Sequence, residues 1–277
     1  MARKLPPVRV ARPWGRTRLW QGHADADASA PIGEIWFPGD DGSELLVKIL
    51  FTARPLSIQV HPDDARARAA GYPRGKDEAW FILDAEPGAR IGLGTREPVG
   101  EKEFAESVSR GAIEALMDWR QVSAGDVIYS PAGAVHALGA GITAIEIQQN
   151  VDLTYRLFDY ASARELHLQA GLAAAKPEPF AARFEPIAIS PLRSVLFEGG
   201  KFVLEKWELR GPARIAPFKQ EAWLVPIEGY RGAHGALAKC GCLKATSLCQ
   251  SMRQARPLSP TLARSAWMCC CTVKSDN

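Results

Sequence analysis

The chain has 277 residues, 47% of them hydrophobic and 23% charged, with a formal net charge of +3, enough for one large domain or two modest ones with real cores. No basic stripe with interleaved aromatics and no apolar run near the roughly 18 residues of a membrane span is present, which argues against nucleic-acid and membrane partners. All six cysteines lie at or beyond Cys240, so chemistry before that point uses no thiolate.

The N-terminal stretch MARKLPPVRVARPWG is basic, but prolines and arginines interrupt it where a signal peptide needs apolar residues, as expected of a cytoplasmic protein. Residues 1–30 mix Pro, Arg and Trp, with ADADA as an exposed turn. Short apolar runs then follow on short connections: GEIWFP, ELLVKILFT, LSIQV, DEAWFIL, ARIGLG, DVIYS and ITAIEIQQ. Their β-branched and aromatic content between turn residues predicts strands. The exception is residues 97–119, where Phe104, Val108, Ile113, Leu116 and Met117 at helical spacing, with Gly111 between, predict two short helices. A further helical piece at 164–175 precedes the linker KPEPF. A second run of strands follows in SVLFEGG, KFVLEKWELRG and QEAWLVPIEG, and EAWLVPIEG echoes DEAWFIL as a faint internal repeat. The pattern predicts a mainly β protein, a β-barrel or double-sheet jelly roll with a small helical insertion and a second, incomplete β-domain. The expected division is a barrel over 1–160, a helical connection over 161–180 and a smaller β-domain over 181–277.

Polar residues sit where this pattern should be apolar. In LSIQVHPDD, Gln59 and His61 are two apart and share one strand face. Glu78 begins the strand of GKDEAWFIL. In GDVIYSPAGAVHAL, the spacing Gly-x5-Pro-x-Gly-x2-His ends on His136. That spacing resembles the second motif of the cupin superfamily, in which the histidine is a metal ligand inside a small barrel. Gln59, His61, Glu78 and His136 together offer two imidazoles, a carboxylate and an amide oxygen. The set suits catalytic Zn2+ with an open position, and Fe2+ or Mn2+ use similar ligands. A metal would also explain why a strand tolerates a buried amide and imidazole, each of which costs about 1–3 kcal/mol without a partner.

QVHPDD, GKDEAWFIL, the Pro-x-Gly-x-x-His turn and EIQQNVDLTYRLFDY occur in that order, and the chain over roughly residues 5–230 resembles the short bacterial form of the type I mannose-6-phosphate isomerase family. The resemblance implies a zinc-dependent cupin with one Zn2+ held by Gln59, His61, Glu78 and His136. It also implies interconversion of mannose 6-phosphate and fructose 6-phosphate through an enediol. Gln-x-His in place of the usual cupin His-x-His is itself typical of this family. Such an isomerase needs a base, an electrophile for the developing oxyanion and a clamp for the phosphate. Arg156 is expected to contact substrate oxygens; the alternative is a surface arginine paired with Asp152 or Asp159. Lys48 stands in an apolar strand and either contacts substrate or reaches water from an edge. Lys76 belongs to the family's substrate-site motif, or else to a solvated turn. Glu146 either serves in proton transfer or forms an ion pair across the sheet. Asp63 and Asp64 read as caps of a short helix, and Trp80 and Trp119 as core.

From about Gly229 the strand pattern fails, and the segment holds every cysteine. Thiolate metal binding by CGC and CCC lacks the paired Cys-x-x-Cys spacing of structural zinc sites. The other reading is a tail translated out of frame. Codons for LAKCGCLKAT, read one base earlier, permit Gly-Glu-Val-Trp-Leu-Pro-Glu-Gly-Asp, a turn–strand–turn. Two further functions compete with the isomerase: an iron-dependent cupin dioxygenase, and a non-catalytic cupin that binds sugar phosphate.

Overall fold

The computed structural model describes residues 2–19, 30–160, 164–180, 184–209, 221–228, 243–245 and 265–272. The chain runs β1 (Ala2–Lys4), β2 (Val8–Arg16), β3 (Ile32–Phe37), β4 (Leu45–Thr52) and β5 (Ile58–Val60) into α1 (Asp64–Ala69). Next come β6 (Glu78–Ala85), β7 (Arg90–Thr95), α2 (Glu101–Ser109), β8 (Met117–Gln121), β9 (Val127–Ser130), β10 (His136–Leu138), β11 (Ile142–Gln149) and β12 (Tyr155–Phe158). After α3 (Leu168–Ala174) follow β13 (Ile187–Ser190), β14 (Arg193–Glu198), β15 (Phe202–Leu209), β16 (Ala222–Glu228), β17 (Leu243–Ala245) and β18 (Ser265–Thr272).

These strands form three antiparallel sheets. The first has the order β12-β5-β10-β7-β8, the second β2-β3-β4-β11-β6-β9, and the third β1-β17-β16-β18-β15-β14-β13. The first two face each other as the cupin barrel. The second sheet is packed on both faces. On one, Leu50, Trp80, Ile82, Ile142 and Ala144 close the barrel interior with Ile91 and Leu138 of the first sheet. On the other, Ile35, Phe37, Val47, Ile49, Phe51, Phe81, Ile145 and Ile147 pack against Leu196, Phe197, Phe202, Leu204, Trp223, Val225 and Ile227 of the third sheet. This sandwiching explains why β4 reads LLVKILFT and is buried at every position. Its one charged residue, Lys48, points into the barrel, because it shares parity with Leu50 and lies opposite Glu146.

Three features differ from the sequence expectation. β2, β12 and β13 form in segments that lack clean apolar alternation; they are held by register with β3, β5 and β14. Only one helix forms in the insertion. Gly111 adopts φ +68° after α2 and stops it, and the remaining helical spacing comes from a single 3-10 turn at Ile113–Ala115. Met117 and Trp119 then belong to β8, paired to β7, rather than to a second helix. In the Cys-rich tail, the backbone of β17 pairs with β1 and β16, and that of β18 lies between β15 and β16. The rest of the tail, with Cys240, Cys242 and Cys249 and most of the segment on which the out-of-frame reading rests, lies outside the described residues.

Candidate metal centre

The first sheet carries the nitrogen donors. Gln59 on β5 is paired to His136 on β10 and, on its other side, to Arg156 on β12, so the three form one row across the sheet. His61 follows two residues after Gln59. Glu78 comes from the facing sheet, at the start of β6 beside Ser130 and Gln148. The donor atoms of His61, Glu78 and His136 all lie within 4.8 Å of one another, and each residue is only 1% exposed.

Each imidazole is oriented by a backbone carbonyl. His61 Nδ1 lies 2.9 Å from Leu153 O, and His136 Nδ1 lies 3.0 Å from Ala134 O with Ser130 Oγ at 3.1 Å. Donation from Nδ1–H to those carbonyls leaves both Nε2 lone pairs aimed at Glu78, the arrangement that serves a metal-ligating histidine. Nε2 of His61 is 3.2 Å from Glu78 Oε1, and Nε2 of His136 is 3.5 Å from Glu78 Oε2. Ligands around a four-coordinate ion with bonds of about 2.0–2.1 Å are about 3.3–3.4 Å apart. His61 Nε2 and Glu78 Oε2 are buried without hydrogen-bond partners, a cost that an ion between them removes. The donor set therefore fits a divalent metal.

Gln59 is brought to the cluster with its amide nitrogen, not its oxygen, 3.2 Å from His136 Nε2, while Ser57 Oγ donates to its Oε1 at 3.0 Å. Turning the amide over exchanges the two atoms: Oε1 then faces the cluster and Nε2 donates to the Ser57 hydroxyl.

Burial draws the His61 imidazole down to about 3 against the opposing pull of Glu78, and lowers His136 likewise, so both rings are neutral donors. Burial alone would raise the Glu78 carboxyl, but it is held well below its ordinary value, and with both rings neutral the charge that opposes burial is the Lys76 ammonium. Lys76 is buried with Nζ 2.9 Å from Glu78 Oε1, not in a solvated turn.

A second polar row crosses the inner face of the other sheet. Trp36 lies opposite Lys48, Lys48 opposite Glu146, and Glu146 opposite Trp80. Lys48 is no edge lysine: its Nζ is 3.0 Å from Glu146 Oε1, donates to Gln148 Oε1 and lies 4.7 Å from the Trp36 ring centre. Burial would lower Lys48, but Glu146 and Glu34 together raise it, so it stays charged. Burial, with the charge of Glu78, raises Glu146 despite Lys48. Trp80 Nε1 donates to Glu146 Oε2 at 3.0 Å. The ion pair expected as one reading of Glu146 thus exists, inside the barrel. Arg156 is half-buried and its Nε has no hydrogen-bond partner. Asp159, one of its expected surface partners, is instead paired with Arg164.

Asp63 caps α1 by accepting from Arg66 N at 2.8 Å, whereas Asp64 does not; its Oδ1 accepts from Gly75 N at 2.8 Å. Trp80 is fully buried, and Trp119 is half-buried with the Arg90 guanidinium 4.7 Å from its ring centre. Sequence reasoning missed Asp77, Tyr129 and the Glu34–Arg12 pair, whose Oε1–Nε distance is 3.1 Å. Glu34 and Trp36 share parity on β3 and could have been read as facing Lys48. Asp77, between Lys76 and Glu78, gives no such signal.

No family profile matches the chain. It is 37% identical over 200 residues to mannose-6-phosphate isomerase ManA of Bacillus subtilis, covering 68% of this chain and 63% of that protein. It is 31% identical over 226 residues to YvyI of Bacillus subtilis, named as a candidate mannose-6-phosphate isomerase, covering 76% of this chain and 67% of that protein. The chain thus spans less than two thirds of ManA, the first of these relatives. The fold matches the crystal structure of mannose 6-phosphate isomerase from Bacillus subtilis with a TM-score of 0.75 at 22% identity, over 96% of this chain and 98% of that one. A solved mannose 6-phosphate isomerase bound with zinc and yttrium matches with a TM-score of 0.68 at 15% identity, over 98% of this chain and 99% of that one.

Proposed function

We propose that this chain, which belongs to the type I mannose-6-phosphate isomerase family, is a zinc-dependent aldose–ketose isomerase that interconverts mannose 6-phosphate and fructose 6-phosphate in the cytoplasm. The observation that carries the reading is the convergence of two neutral imidazoles and one ionised carboxylate on a point inside the barrel. His61, Glu78 and His136 would hold the ion, with Gln59 as a fourth ligand through Oε1 once its amide is turned. The chemistry a bound zinc supplies is Lewis acidity toward the sugar oxygens and a template for their orientation.

The chain's own residues supply the rest. From aldose to ketose, a proton leaves C2, the C1 carbonyl oxygen takes up a proton, and an enediol forms; a proton then returns to C1 as the 2-hydroxyl becomes the carbonyl. Glu146 is our assignment for the proton carrier. It is a buried carboxyl with a raised affinity for protons, fixed by Trp80 Nε1 and Lys48 Nζ. To Lys76 beside Glu78, Lys48 beside Glu146 and Arg156 in the row with Gln59 and His136 we assign the cationic roles: they would stabilise an enediolate oxygen and bind phosphate in a low-dielectric setting. We read residues 1–160 as the catalytic unit, 161–180 as its connection and 181–277 as a second β unit.

The test is a coupled isomerase assay before and after chelation, with metal content measured on the same sample. Turnover should vanish on chelation and return with zinc; turnover that survives complete metal removal overturns the reading. The same donors suit Fe2+. Oxygen consumption by an iron-loaded sample that does not isomerise would favour a dioxygenase, and tight sugar-phosphate binding with no turnover a binding protein.

A further inference from the structure

The segment Gly75–Glu78 carries the expected substrate lysine and the only carboxylate of the metal cluster, and it is fixed from outside the barrel. Two chains of contacts reach it from the third sheet. In the first, Lys201, at the turn entering β15, places Nζ 2.7 Å from Asp64 Oδ2, and the other oxygen of the same carboxylate accepts from Gly75 N at 2.8 Å. The turn is pressed against the His-Pro-Asp-Asp segment: Lys76 N donates to Pro62 O at 3.1 Å, and a Cβ on Gly75 would lie 2.5 Å from the Asp63 carbonyl carbon. In the second, Phe197 of β14 stacks on Tyr129 with ring centres 4.2 Å apart, and Phe202 of β15 meets the same ring edge-on. The Tyr129 hydroxyl donates to Asp77 Oδ2. Asp77 Oδ1 accepts from Ala132 N at 3.1 Å, in the Pro-x-Gly turn that leads to His136. Asp77 also exchanges two bonds with Gln149: its N donates to the amide oxygen at 3.0 Å, and its carbonyl accepts from Gln149 N at 3.1 Å.

We propose that the third sheet is a positioning element of the metal and substrate site: Lys201 acting through Asp64, and Phe197 acting through Tyr129 and Asp77, hold Gly75–Glu78 in place. Asp64 and Asp77 are positioning residues that touch neither substrate nor metal. Each spends one carboxylate oxygen on the Gly75–Glu78 side or its neighbouring turn and the other on a group tied to the third sheet. The importance of the substrate lysine rests on the isomerase reading; the placement of Glu78 does not.

The test uses Lys201→Met, which keeps the stem and removes the charge, and Tyr129→Phe, which keeps the stacked ring and removes the hydroxyl. In the full chain, hydrogen exchange in peptides spanning 72–80 should quicken about five- to tenfold in either variant, the effect of losing one hydrogen bond. Exchange in the β14–β15 hairpin should stay at the parental rate. Zinc retention against a competing chelator should weaken roughly tenfold or more, and Lys201→Arg should restore both readouts. Unchanged exchange in 72–80 with unchanged zinc retention overturns the proposal, as does faster exchange throughout the molecule. If Lys201→Met does not fold, Tyr129→Phe decides alone. A parent that shows these effects in its variants yet never isomerises sinks the isomerase reading and leaves the positioning intact.

Discussion

Replacing Glu78 by Gln keeps the volume of the side chain and removes one charge from a point shared by Lys76, His61 and His136. At 2.9 Å the attraction between Lys76 and Glu78 is about 6 kcal/mol at an effective dielectric of 20. Glu78 also loses a desolvation penalty when neutralised, so the net effect is smaller. Removing one partner of a buried pair, with the other left behind, costs about 3–5 kcal/mol. Both side chains are at most 5% exposed, so water cannot take over the solvation of the ammonium. With a urea m-value of about 2–3 kcal/mol/M, the midpoint of the chelated protein should fall by roughly 1–2 M. The assay is urea unfolding of parent and Glu78→Gln in chelator, followed by zinc titration of each. The parent should gain stability on zinc addition and the variant little, because a ligand is gone. If the variant unfolds at the parental urea concentration and still takes up one zinc per chain, the buried cluster is neither a charge-compensated pair nor a metal site.

Three further outcomes follow from other contacts. Gly75→Ala should destabilise by about 1–3 kcal/mol by thermal melting, because the new Cβ meets backbone atoms of Pro62, Asp63 and Asp64 rather than a side chain that could yield. Asp64 is held at about 2 against its own burial, chiefly by Lys201 and the Gly75 N–H, so the stability it confers is fully present above its unfolded value near 4 and lost as pH falls toward 2. Asp64→Asn should therefore be about 1 kcal/mol less stable than the parent at pH 6, after allowance for solvent screening, and equal to it near pH 2, as read by urea titration at each pH. Trp80→Phe removes the donor 3.0 Å from Glu146; it should cost about 1–3 kcal/mol in unfolding free energy and lower kcat more than KM changes.

The barrel was legible because its strands obey short-range rules, and so was the placing of Gln59, His61 and His136 on its inner face. A period of two places Gln59 and His61 together, and a Gly-x5-Pro-x-Gly-x2-His spacing aims His136 inward from its turn. The order of the barrel sheets was not legible, since β5 finds β10 and β12 across long stretches of sequence. Lys48 and Glu146 each looked equivocal alone, and only the register that sets them opposite each other decides between an edge and an interior position. Asp77 was invisible for the same reason: its partners Tyr129, Ala132 and Gln149 come from two other strands and a turn. The run 113–117 misled because a 3-10 turn followed by a strand mimics helical spacing over so few residues.

The outer wall of the second sheet is greasy, and it is roofed by strands that lie far downstream in the polypeptide. On the ribosome, Val47, Ile49 and Phe51 therefore emerge well before Phe197, Phe202 and Trp223 can shield them. A nascent chain in that interval presents a sticky, strand-shaped surface to its neighbours on the polysome. Slow or interrupted synthesis past residue 180 should send this protein into inclusion bodies, while cooler growth or extra chaperone during expression should rescue it.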